Sequence, residues 1–508
     1  MCFGERRGER RARALATGAL AALFFASGRA AATPIDDPFV TGMSFSSPTA
    51  GDLGAIYWNP AALGLMRGFQ LMVAGTARWS RVSVSRAPID PTTGAPGGPG
   101  ATMATGSATA TDFRQPFTWP PGPGSYLAIG YGSDRFTLAF AAYMPYLEQI
   151  HFPSPGSGSP ASDGPTRYQM LSLDLRNLAL VPALAIRFGN DFRVGLSSGF
   201  LFSTGSLSFD EDTALTQPGG PGIAENPAAA AQYNIDSGQG IGDAKFSVTL
   251  GGGIYYRHKN LEAGLSYQSH PLGSPVAGVE VAGDSTTVIQ PSGRPGGGGP
   301  VTCAGQSARC VFGDVVYRLP DVVIGGITWH LRPGLQLDVM ARWIWTHEHD
   351  RIDIRLVGPT LDAAGLPQHI VLYRGFHDVV DTRARIAYWW RERLRVGAEL
   401  RVENGAVDND AINAAAVDGF QIEPVVLAEL RLGRRFWLGA GYGLTIMPSV
   451  TVTNSIFDPT QATACAAADG DLATQACQAR ANGTARPTAA GTYTSLVQDF
   501  GLTFTVRL

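Results

Sequence analysis

The chain has little charge, few cysteines and, beyond its first residues, no long apolar run. Only 16% of its 508 residues are Asp, Glu, Lys or Arg, and the net charge is −3. That excludes the strongly basic surface of a nucleic-acid-binding protein. After residue 32 no stretch reaches the roughly 20 consecutive apolar residues a membrane-spanning helix needs. Of the 5 cysteines, Cys2 lies at the N-terminus and the rest form two close pairs, Cys303 with Cys310 and Cys465 with Cys477. An even set in an exported chain reads as disulfides. No histidine lies near either pair, which argues against a zinc site. No nucleophile is matched to a base, so neither an enzyme nor a cofactor is expected.

What is present points to export. Arg6, Arg7, Arg10, Arg11 and Arg13 make a basic start, Ala14 to Ala26 is apolar, and Ala30-x-Ala32 follows. That order predicts a cleaved signal peptide over 1–32. At the other end Phe500, Leu502, Phe504, Val506 and Leu508 alternate with Gly501, Thr503, Thr505 and Arg507. This is a strand with one apolar face. It resembles the closing strand of bacterial outer-membrane barrels, although those usually end in Phe or Trp rather than Leu.

Alternation of this kind runs through most of the chain. Phe192, Val194 and Leu196 alternate with Arg193, Gly195 and Ser197, and Leu394, Val396 and Ala398 oppose Arg393, Arg395 and Glu399. The pattern predicts about 14 strands, an even number as bacterial barrels require. Their spans are 67–87, 116–131, 134–147, 167–188, 191–206, 240–257, 260–281, 311–331, 334–357, 370–390, 392–404, 420–432, 434–452 and 491–508. Connections alternate between short turns, such as Gly132-Ser133, Gly189-Asn190 and Gly433, and long segments rich in Gly, Pro, Ser and Ala. Short inner turns and long outer loops mark a transmembrane barrel. Trp343 with Trp345, Tyr388 with Trp389 and Trp390, and Tyr143 with Tyr146 are placed where aromatic girdles would lie.

Residues 33–66 do not alternate. They contain Trp58-Asn59-Pro60-Ala61, in which Asn59 can cap a short helix and Pro60 suits its first position. An Asp, small residues, aromatics and Asn-Pro-Ala, placed between a signal and a 14-strand barrel, resemble the FadL family of long-chain fatty acid and hydrocarbon transporters. Asn59, Pro60 and Ala61 match that family's motif, while Gly54 and Ala62 depart from its usual Ser and Gly. Leu319-Pro320-Asp321, Asp338 and Trp343 are similar too. The resemblance implies three parts: signal 1–32, hatch 33–66 and barrel 67–508. It also implies capture at the outer loops, a lumenal pocket, movement of the hatch, and sideways exit where the third strand kinks. Pro145, at the expected end of that strand, is the candidate for the exit, with an ordinary strand end as the alternative.

The expected lumen is partly apolar. Ala179, Val181, Ala183 and Ala185 oppose Leu178, Leu180, Leu184 and Ile186, and Val425 and Leu427 interrupt Gln421, Glu423 and Glu429. Arg383, Arg385, Arg393, Arg395 and Arg401 also face inward. Arg383, Arg385 and Arg395 are candidates for a carboxylate head group, the alternative being pairs with Asp381, Glu399 and Glu423. His347, Glu348, His349 and Asp350 read as rim residues rather than a metal site. The expected function is import of hydrophobic compounds, foremost long-chain fatty acids, through the outer membrane of a Gram-negative cell. The alternatives are an aromatic-hydrocarbon importer and a structural or adhesive barrel. Partners are hydrophobic small molecules and membrane lipid, and a monomer is expected.

Overall fold

The computed structural model describes residues 43–90, 97–98, 100–101, 106–114, 124–152, 164–212, 230–236, 245–272, 279–289, 311–357, 369–455, 457 and 489–508. The expected signal peptide and all four paired cysteines lie outside the described residues.

Fourteen antiparallel strands close a ring: β1 (Gly68–Arg86), β2 (Ser125–Gly132), β3 (Phe136–His151), β4 (Ser172–Phe188), β5 (Phe192–Asp212), β6 (Lys245–His258), β7 (Leu261–Gln268), β8 (Val322–Arg332), β9 (Leu335–Ile344), β10 (Val379–Trp390), β11 (Leu394–Glu403), β12 (Gln421–Leu432), β13 (Phe436–Ile446) and β14 (Gly491–Arg507). Each pairs with its sequence neighbours in the ring, and β14 returns to β1 with Gln70 opposite Arg507 and Arg86 opposite Gly491. The ring of strands thus closes on itself, the condition for placing strands in lipid. Outward side chains are apolar: Leu138 on β3 and Leu196 on β5 are 54% and 60% exposed. A belt of this kind around the whole ring fits hydrocarbon, not water. Tyr131, Tyr256, Trp329, Tyr388 and Trp390 mark its short-turn border, and Tyr267 and Trp343 its long-loop border. The short turns use left-handed residues, among them Gly189 at φ 68° and Gly433 at φ 75°, a conformation glycine adopts without strain.

Several expected strands are broken in two. Val311–Tyr317 and β8 were expected as one span, as were β9 and Arg351–Val357, and His369–Tyr373 and β10. Pro320 lies in the first break, where it cannot donate to a ladder. The 3-10 turn Thr346–His349 forms the second, and Gly375 at φ 65° the third. The upper pieces form their own row. The end of β5 pairs with Ala230–Asp236, then follow Val279–Ile289, Val311–Tyr317, Arg351–Val357 and His369–Tyr373. Similarly, Val450–Val452 is split from β13 beyond Pro448. Ser107–Arg114 and Ala230–Asp236 were expected as loop but are strands. The first of these covers the upper half of β1, above the pairing of β1 with β2.

Residues 43–66 lie in the lumen. A helical turn, Ala55–Trp58, leads into the 3-10 helix Pro60–Leu65. Leu53, Ala55, Ala61, Ala62 and Leu63 are fully buried. The segment touches strands all round the ring, which only a position inside it permits.

Candidate functional site

The lumenal segment is held by its backbone. Asn59 is fully buried, and its Oδ1 accepts from Ala61 N at 3.0 Å, the expected helix cap. Its Nδ2 donates to Pro48 O at 2.9 Å and to Ile254 O of β6 at 3.0 Å. Asn59 therefore ties two turns of the segment to each other and to the wall. Tyr126 of β2 donates to Leu53 O at 2.7 Å, and Ser266 of β7 to Trp58 O at 2.7 Å. Arg187 of β4 donates to Gly64 O and Met66 O. Glycines make room for this close approach. A Cβ at Gly195 would lie 2.2 Å from Pro60 C and Ala61 N, and one at Gly264 would lie 2.3 Å from Pro48 O. Glycine at these strand positions is thus a packing requirement.

The wall facing the segment has two characters. On β9 to β12 it is an ionic lattice. Asp381 accepts from Arg342 at 2.8 Å, Arg383 at 2.7 Å and Arg401 at 3.0 Å. Arg401 also reaches Glu423 at 3.1 Å and Glu403, and Arg385 reaches Asp338 at 3.0 Å. Arg78 of β1 and Asp499 of β14 pair bidentately at 2.6 and 2.8 Å. Of the head-group candidates, Arg383 lies 5.0 Å from the Trp58 ring and Arg395 4.2 Å from the Phe45 ring. Arg385 donates to Ser46 O at 3.3 Å and Phe45 O at 3.2 Å. All three thus contact the lumenal segment. Arg395 donates to Gln336 Oε1 at 2.9 Å. Arg393 is exposed at the short turn, not lumenal as expected. Val425 and Leu427, which interrupt the polar face of β12, pack with Phe45 and Ala387.

On β3 to β5 the lumenal wall is mostly apolar. Ala139, Ala141 and Tyr143 face inward on β3, as do Leu173, Leu175, Ala179, Val181, Ala183 and Ala185 on β4 and Leu201 and Leu207 on β5. Tyr143 was expected in a girdle. It is buried instead, stacked on Tyr126 at 5.2 Å and edge-on to Tyr57 at 5.8 Å, because it shares the inward parity of Ala139 and Ala141. Trp389 also turns inward of the girdle, edge-on to Trp437 at 5.8 Å. The side chain of Tyr146 lies outside the description.

Pro145 is not at a strand end. It sits inside β3, where the pairing with β4 slips from Tyr143 opposite Ala179 to Tyr146 opposite Asn177. One extra residue is accommodated, a β-bulge. Beyond it the strand's parity reverses, so Glu148, opposite Leu175, faces the lumen. Among the described residues β3 is paired with β2 only up to Tyr143, opposite Tyr126. Above that point it is laddered to β4 alone, and His151 N donates to Asp112 Oδ2 of the Ser107–Arg114 strand at 3.3 Å.

Glu148 meets Arg374, which lies in the break before β10. Arg374 Nη1 donates to Glu148 Oε2 at 2.8 Å, and Nη2 to Glu148 Oε1 and to Ala415 O at 3.1 Å. Arg374 Nη1 also lies 2.9 Å from His349 Nε2, and His349 Nδ1 is hydrogen-bonded to Arg318 O. Burial holds the His349 imidazole below its usual pKa, which suits a neutral ring donating from Nδ1 and accepting at Nε2. The loop 404–420 closes over this region, with Ala406, Ile412 and Ala414 fully buried and Ala414 N donating to Gln169 Oε1 at 2.7 Å.

The run His347 to Asp350 is dispersed. His349 turns inward, His347 pairs with Asp378, and Glu348 approaches His270 and Asp321. Ligand atoms of His270, Asp321 and Glu348 lie within 4.8 Å of one another. His270 Nδ1 already bonds Asp321 Oδ2 at 2.9 Å, and Tyr267 OH bonds Asp321 Oδ1 at 2.7 Å. Asp321 is thus hydrogen-bonded to both Tyr267 and His270 at the outer border.

No family model and no curated protein matches the chain. Solved structures do. A FadL homologue from Pseudomonas aeruginosa superposes with TM-score 0.66 and 12% identity, covering 95% of this chain and 100% of that one. The fold is that of the FadL-type barrels. The Pseudomonas putida toluene transporter TodX matches with TM-score 0.59 and 12% identity over 93% of this chain and 97% of its own. The Ralstonia pickettii toluene transporter TbuX matches with TM-score 0.57 and 12% identity over 93% and 98%. The ring of fourteen strands is thus FadL-type along nearly its whole length, although few residues are shared.

Proposed function

We propose that this FadL-type barrel carries small hydrophobic compounds across the outer membrane of a Gram-negative cell. Residues 43–66 act as the hatch, with Asn59, Pro60 and Ala61 at its pivot. Cargo enters among the long loops, rests against the apolar wall of β3 to β5, and leaves sideways beside Pro145. The observation that carries this reading is the apolar lumenal wall lying next to the bulge at Pro145, above which β3, among the described residues, is laddered to β4 alone. An apolar pocket with few convergent polar groups is the usual ligand site, and a water-filled porin would instead line that wall with charge.

Uncharged hydrocarbons are the cargo this lumen suits best. Asp381, Asp338, Glu423 and Asp499 already engage the lumenal arginines of the lattice, and Arg383, Arg385 and Arg395 are assigned to holding the hatch. The solved toluene transporters support the same reading by analogy. Long-chain fatty acids are the second reading, favoured by the solved FadL homologue. The test is uptake of labelled toluene and labelled oleate by Gram-negative cells that lack their own importer and carry this protein in the outer membrane. Uptake of toluene, lost on deleting residues 43–66 or altering the hatch, is the expected result. Correct insertion with uptake of neither compound would reject transport.

A further inference from the structure

We propose that Glu148 is the selectivity residue of this lumen, a built-in carboxylate that occupies Arg374 and so denies the channel an anion site. The inference rests on the transport reading above and names the residue pair that sets its cargo class.

The geometry comes from the bulge. Without the extra residue at Pro145, position 148 would share the outward face of β3, because a one-residue slip moves every side chain to the opposite face. The bulge brings the Glu148 carboxylate inside, where it bonds both terminal nitrogens of Arg374. A planar guanidinium taken by a carboxylate at both nitrogens is the arrangement by which proteins bind carboxylate ligands. Here the ligand's place is filled by the protein's own side chain.

The surroundings fit a head-group site. Arg374 is buried, with its guanidinium 4.4 Å from the Phe376 ring. Its Nε has no partner among the described residues. His349 contributes an acceptor rather than a second cation. Glu148 lies opposite Leu175 and close to Leu173 and Ile150, so the ion pair borders the apolar wall. An amphiphile lying along that wall would bring its head group to Arg374. With Glu148 ionised and in place, a second carboxylate there meets like charge and an occupied cation. A neutral molecule meets neither.

The probes are cis-parinaric acid and its methyl ester, read by fluorescence on the purified full-length barrel in detergent at neutral pH. The unaltered protein is expected to bind the ester at least as tightly as the acid. Glu148→Gln, which keeps the shape and removes the charge, is expected to tighten the acid about tenfold, the worth of one charge-assisted contact, and to leave the ester within about twofold. Adding Arg374→Met to that variant should abolish the gain. A native preference for the acid overturns the proposal, and this arm needs no variant to fold. An unchanged acid affinity in folded Glu148→Gln also overturns it. Toluene uptake by cells together with either of these results would leave the transport reading standing while removing this one. Absence of binding of both probes, with no uptake in cells, would remove both.

Discussion

The two sides of the lumen solve different problems with the same strand geometry. On β9 to β12 inward positions carry Asp381, Arg383, Arg385, Arg401 and Glu423, and their hydrogen bonds cross from strand to strand. On β3 to β5 inward positions carry Ala141, Ala179, Val181 and Leu201. The charged side is rigid, because each buried ion depends on several partners and none can leave without stranding another. It also grips the lumenal segment, through arginines placed over Trp58 and Phe45. The apolar side ties the segment through Arg187 of β4, which donates to Gly64 O and Met66 O, and its strand β3 bulges at Pro145. The ionic lattice and the bulge at Pro145 are thus placed on opposite walls.

Four substitutions would break or sharpen that contrast. Gly195→Val should have the largest effect, since its Cβ would fall 2.2 Å from backbone atoms of Pro60 and Ala61, which cannot move aside as a side chain can. The lumenal segment should be displaced, and single-channel conductance in planar bilayers should rise by roughly an order of magnitude, given the width of a barrel this size once unplugged. Conductance equal to that of the unaltered protein would place the segment elsewhere. Asp381→Asn should come next. It leaves Arg342, Arg383 and Arg401 without their shared anion, at a cost of about 3–5 kcal/mol, measured as the urea midpoint in lipid vesicles.

Asn59→Ala should cost about 2 kcal/mol, because two donors to Pro48 O and Ile254 O are lost in a dry site. The loss belongs to docking of the segment. Amide exchange at residues 43–66 should therefore rise while the barrel strands stay protected. Val181→Ala on the apolar side should be smallest, about 1–2 kcal/mol for two buried methyl groups. A cost equal to that of Asp381→Asn would show that the two walls do not differ in rigidity.

Much of the barrel is legible in the residues. Period-two alternation locates all fourteen ring strands, because a strand between lipid and lumen must alternate. The short turns at Gly189 and Gly433 stand out by their chemistry. The upper row of strands is less visible. Val311–Tyr317, Arg351–Val357 and His369–Tyr373 continue the alternation of the strands they join, so Tyr317 to Val322 reads as one run until Pro320 is seen to interrupt it. Tyr143 was misplaced because an aromatic residue looks alike in a girdle and in a core, and only parity against Ala141 separates them. Arg374 and Glu148 carried no local signal at all.

The sequence by itself determined the class of fold, the number of ring strands and the capped turn at Asn59, since each depends on neighbours along the chain. Only the tertiary structure decided which partner each buried charge takes. Arg374 and Glu148 are 226 positions apart, and they meet because ring closure sets the break before β10 against β3, while a bulge at Pro145 turns one carboxylate inward. Pairings across a closed barrel depend on the registers of all the strands between them, and no local pattern records that sum.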